Sequence, residues 1–113
     1  MLIELLPEPV AGVVAREVQF GAPEGEFRIG AEGDIRYVHP ADNREWIAGA
    51  NLAQFQSAAA AWNSYTSQVS RTPEPGQFTL VRDLRKELDQ LGVTALPNSV
   101  WPALLEQAEH GML

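Results

Sequence analysis

Three observations predict an α+β fold for this chain, with an antiparallel β-sheet of about four to five short strands in the N-terminal half packed by about three helices from the C-terminal half. Between residues 26 and 48, short segments alternate polar and apolar side chains and are separated by turn residues, the pattern of half-buried strands joined as a meander. After residue 51, apolar side chains recur at steps of three and four, the stripe of amphipathic helices. The chain has 113 residues, enough for one core and too few for two, so residues 1–113 are read as a single domain.

The elements follow in order. Val10 to Phe20, VAGVVAREVQF, is apolar and β-branched, while Gly12 and the helix-tolerant Ala-Arg-Glu stretch leave it open between strand and helix. Gly21-Ala22-Pro23-Glu24-Gly25 is a loop by its breakers. Glu26-Phe27-Arg28-Ile29 reads as a strand, Gly30-Ala31-Glu32-Gly33 as a turn, and Asp34-Ile35-Arg36-Tyr37-Val38 as the next strand. That alternation puts Phe27, Ile29, Ile35 and Tyr37 on one face and Arg28, Asp34 and Arg36 on the other. His39-Pro40-Ala41-Asp42-Asn43 turns the chain into a last short strand, Arg44-Glu45-Trp46-Ile47-Ala48.

Asn51 is a favourable N-cap, and Leu52, Phe55, Ala59, Trp62, Thr66 and Val69 form one apolar stripe behind it. Arg71-Thr72-Pro73-Glu74-Pro75-Gly76 is a loop by composition. Val81, Leu84, Leu88 and Leu91 mark a second helix with Gly92 as its stop. In the closing segment, Trp101, Leu104, Leu105 and Ala108 share a helical face, Pro102 sits near the first turn, and Met112 and Leu113 are expected to extend the apolar contact beyond Gly111.

Composition narrows the function classes. Fifteen acidic residues against eight basic give a net charge of −7. This opposes nucleic-acid binding, which draws its affinity from counterion release by Lys and Arg. It is compatible with a basic protein partner, and equally with acidity that serves only solubility. There are no cysteines, so disulfides and thiolate metal sites are excluded and a reducing, cytoplasmic setting is expected. No apolar run approaches the roughly 18 residues of a membrane span. Glu4 and Glu8 stand where a secretory leader would carry Lys or Arg, so neither leader nor anchor is expected.

Catalytic motifs are sparse. His39 and His110 are the only histidines, and neither has an orienting partner or a second metal ligand at a readable spacing. Glu87 with Asp89, and Glu106 with Glu109, read as solvated helix faces rather than acid/base pairs. The glycines at 21, 25, 30 and 33 lack the Lys-Ser/Thr of a phosphate loop, and no Gly-x-Ser-x-Gly occurs. The chain is therefore expected to be a non-enzyme without cofactor or metal. Trp62 and Trp101 lie on apolar helical stripes and are expected in the core, whereas Trp46 reads equally as core or as a contact anchor.

Four segments, taken in order, resemble the SUKH superfamily of bacterial immunity proteins, most closely its fourth family. They are Phe20-Gly21, then Gly33-Asp34-Ile35-Arg36-Tyr37, then Asn51-Leu52-Ala53-Gln54-Phe55, and the closing segment from Trp101-Pro102 to Gly111-Met112-Leu113. The resemblance covers roughly residues 20 to 113. It implies an α+β immunity domain that neutralises a cognate polymorphic toxin, a nuclease or deaminase, by covering its basic active-site cleft. The expected partner-contact residues are Glu32, Asp34, Asp42 and Glu45 with Trp46. The alternative is a small acidic secretion-type chaperone that holds an effector segment as a homodimer. A third reading, a small enzyme, would need a pocket joining His39 to Asp42 or Glu45.

Overall fold

The computed structural model describes residues 1–18, 25–39, 41 and 44–110. Its first half is a five-stranded antiparallel meander, β1 (Leu2–Val10), β2 (Val13–Val18), β3 (Glu26–Ile29), β4 (Ile35–Val38) and β5 (Glu45–Gly49), each strand beside the next. Its second half is α1 (Leu52–Val69), α2 (Glu74–Leu91) and α3 (Trp101–Glu109), with a 3-10 turn at Val93–Ala95 ahead of α3. The α+β class and the strands-then-helices order agree with the sequence reading.

The stretch read as one element from Val10 is in fact a hairpin. Ala11 and Gly12 link the paired Val10 and Val13, with φ of 53° and 81°. Two positive φ values in a two-residue loop match the twist of the flanking strands. The preceding residues, which carry no clear strand pattern, form β1 at the edge of the sheet. There Pro7 and Pro9 are tolerated because an edge strand has a ladder on one side only, so a missing N–H on the outer side breaks no strand pairing.

A side chain of α1 and the main chain of residues 98–100 cover parts of the two sheet edges. The Ile3 N–H donates to Asn63 Oδ1 at 2.8 Å, and Asn63 Nδ2 donates to the Ile3 carbonyl at 2.7 Å. The Asn63 amide thus pairs with β1 as a neighbouring peptide group would. On β5, the Ile47 N–H donates to the Asn98 carbonyl and the Val100 N–H to the Ile47 carbonyl, both at 2.9 Å.

One face of the sheet is buried beneath the helices. Ile3, Ala15, Phe27 and Ile35 lie in the core with Phe55, Ala58, Ala59 and Trp62 of α1. Asn51 caps α1 as expected, its side chain accepting from the Gln54 N–H at 2.8 Å. Tyr65 is buried although it stands off the predicted stripe, while Leu52 is partly exposed. The segment Pro73–Gly76, read as loop, contains the first turn of α2. Pro75 fits there because N–H groups in a first turn have no intrahelical acceptor. Gly92 ends α2 at φ 83°, the left-handed stop the sequence predicts.

All four predicted core residues of α3 are buried: Trp101, Leu104, Leu105 and Ala108. The Trp101 indole N–H donates to the Ala48 carbonyl at 2.7 Å, and its ring lies 6.2 Å from that of Trp62. The last helix is therefore tied to both β5 and α1. Met112 and Leu113 lie outside the described residues, as does the Phe20-Gly21 step.

Candidate functional site: a cleft over a buried glutamate

Strand parity places a carboxylate on the wrong face. Ala15 pairs with Phe27 on the core side, so Glu17, two residues further along β2, points the same way. Glu17 is 7% exposed, the one buried charged side chain among the described residues. Such a group needs a partner to offset its lost hydration. Tyr37, paired with Phe27 from the next strand, supplies one: its hydroxyl donates to Glu17 Oε2.

Gly25 makes this contact sterically possible. A Cβ at that position would sit 2.4 Å from Tyr37 Cε2, so any larger residue would displace the ring. Its carbonyl also accepts from the Glu17 N–H at 2.9 Å. Burial, together with the adjacent Glu17 carboxylate, pushes the Tyr37 phenol well above the usual tyrosine range. The hydroxyl is therefore a donor throughout the physiological range.

Above this pair opens a cleft of about 290 Å³ between the sheet and α3. Glu17, Tyr37, His39 and Trp46 line it from the sheet, and Val100, Ala103, Leu104 and Gln107 from the start and body of α3. Met1 completes the wall, and its carbonyl accepts from Trp62 Nε1 and Thr66 Oγ1, each at 3.1 Å. The start of β1, the end of β2, the end of β4 and the start of β5 all meet here. The cleft thus lies at one end of the meander, opposite the 11–12 and 30–34 turns.

The four expected contact residues that are described do not all share one face. Glu32 is exposed in the β3–β4 turn, and Asp34 is half-buried at the end of that turn. Glu45 stands on the solvent side of β5 at the other end of the sheet. Trp46, the next residue, turns to the opposite face and joins the cleft, packed against the core. Asp42 lies outside the described residues.

Arg36 spans the gap between two of these acids, donating to Asp34 Oδ2 at 3.0 Å and Glu45 Oε2 at 2.8 Å. Glu45 and then Asp34 hold its guanidinium above the usual arginine range. Exposed pairs of this kind add little stability. Their effect is to mute the negative charge of the sheet's outer face.

Sequence reading missed Glu17 and the role of Tyr37. The available signal was the parity of VVAREV, in which Glu17 shares a face with Ala15. A further cavity of about 320 Å³ lies among the three helices, with Tyr65, Val69, Phe78 and Val81 in its lining. Among the described residues, no three His, Cys, Asp or Glu side chains gather in a way that could hold a metal ion. Of the residues the third reading would join, His39 lines the cleft with Glu17 and Glu45 does not, while Asp42 lies outside the described residues. No described helix is long and apolar enough to cross a membrane. Comparison with known protein families, with characterised proteins and with solved structures finds no match to this chain.

Proposed function

We propose that this protein is an immunity-type binding module that neutralises a basic bacterial toxin, of the nuclease or deaminase class, by covering its active-site cleft without turnover of any substrate. The observation that carries this reading is where the charge lies. Residues 1–51 hold nine acids against four arginines, and residues 52–113 hold six acids against four basic residues. The α1 helix has no charged residue at all. The sheet half is thus the end that would steer and meet a basic surface.

Three of the four segments behind the family resemblance fall, in whole or part, on described elements of the fold. Asn51 to Phe55 opens α1, Gly33 to Tyr37 leads into β4, and Trp101 anchors α3. Co-expression with the product of the reading frame directly upstream, which the reading expects to be a toxin, tests it. Growth rescue with a stoichiometric complex is expected, and unchanged killing in the presence of folded protein rejects it.

A second reading, a chaperone that holds an effector segment as a homodimer, draws support from one feature. Phe78 is 72% exposed at the mouth of the three-helix cavity. Sedimentation separates the two: the immunity reading expects a monomer that pairs with toxin, the chaperone reading an obligate dimer.

A further inference from the structure

We infer that the cleft over Glu17 is a socket for the cationic end of a lysine or arginine side chain presented by the protein partner. This rests on the reading above of a basic partner and names the contact that reading leaves open. Glu17 is 93% buried by its 7% exposure, yet only Oε2 is engaged, by the Tyr37 hydroxyl. The side-chain hydrogen bond that the described residues make to this carboxylate goes to Oε2, and Glu17 is part of the cleft lining. Among the described residues, Oε1 is thus the oxygen left to accept from a guest in the cleft.

The walls suit the same guest. Tyr37 and Trp46 present aromatic rings, which attract cations through their faces, and Leu104 and Ala103 offer apolar surface for an alkyl stem. The His39 ring stands 6.5 Å from that of Tyr37. At about 290 Å³ the space has room for one long side chain. A buried charge that breaks the inward-apolar rule without serving the core is also where function is expected to override packing.

The probe is Nα-acetyl-arginine methylamide, titrated while NMR follows the Trp46 indole N–H and the Gln107 side-chain amide, with Nα-acetyl-norleucine methylamide as the uncharged control. Saturable shifts at both groups with the arginine probe alone are expected. Glu17→Gln, which keeps an acceptor for Tyr37, should weaken binding at least about tenfold. Glu32→Gln, with the same change in net charge, should stay within about twofold. Should Glu17→Gln not fold, Ala103→Trp, at an exposed position, fills the mouth and should abolish the shifts.

Equal binding of the norleucine probe, unchanged binding by both cleft variants, or equal loss in Glu32→Gln overturns the socket. If both cleft variants capture and neutralise the toxin as the parent does, the socket fails while the immunity reading stands. If the arginine probe binds as described and no toxin is neutralised, the socket stands and that reading fails.

Discussion

Replacing Asn63 by Ala removes the amide that closes the edge of β1. Two hydrogen bonds are lost, at 2.8 and 2.7 Å, and both partners are main-chain groups of Ile3, which is 1% exposed. A typical intramolecular bond contributes about 1 kcal/mol net, and a buried group left without a partner costs about 1–3 kcal/mol. Asn63 is itself only half-buried, so water reaches part of the gap, and a loss of about 2–4 kcal/mol is expected.

With an unfolding entropy of about 2.1 cal/mol/K per residue over 113 residues, a loss of 3 kcal/mol lowers Tm by roughly 12 °C. Urea melts monitored by tryptophan fluorescence give the free energy, and hydrogen exchange at the Ile3 amide reports the local opening. Asn63→Asp should be at least as harmful, because a carboxylate cannot donate to the Ile3 carbonyl. A loss under about 0.5 kcal/mol, with Ile3 still protected, would refute the edge-pairing argument.

Three further outcomes are expected. Ala11→Asn places an Asn-Gly pair in the hairpin whose φ at Ala11 is 53°, and should stabilise by about 1 kcal/mol in thermal melts; no gain would mean the turn is not under backbone strain. Trp101→Phe keeps an aromatic side chain but is smaller and leaves the buried Ala48 carbonyl without its indole donor, so a loss of about 2–3 kcal/mol is expected in urea. Burial of Tyr37, reinforced by Glu17, and burial of Tyr65 raise both phenols above the unfolded value of about 10. Their contribution to stability is complete below about pH 10 and is lost as pH rises beyond it. Tyr37→Phe should flatten that alkaline decline, and phenolate absorbance of the folded protein should lag behind that of the unfolded chain.

The helical half was more legible in sequence than the sheet's first hairpin, for physical reasons. The stripe Trp101, Leu104, Leu105 and Ala108 announces its burial because a helix repeats its inward face every three or four residues. The β1–β2 hairpin gives no such notice: its turn is Ala-Gly rather than Asn-Gly, and prolines interrupt β1. Pro73 to Gly76 looks like loop because the same proline that breaks a helix interior is accepted in a first turn.

The candidate site was the least readable part. Charge alone points to Glu32, Asp34 and Glu45, but charge does not say which arginine stands between two of them, as Arg36 does. Glu17 carries no local motif; it becomes conspicuous only when pairing with Phe27's strand sets which face is inward. Trp46 reads equally as core or contact by sequence; in the fold it packs on the core and lines the cleft.

The central claim is that an acidic sheet end meets and blocks a basic macromolecule. Stopped-flow association with the toxin that the proposed function expects from the upstream reading frame, across ionic strengths from about 20 to 500 mM, tests it most directly. The account predicts an association rate that falls at least about tenfold over that range, because screening shortens the reach of the steering field. A rate independent of salt, or no complex at any ionic strength, would contradict it.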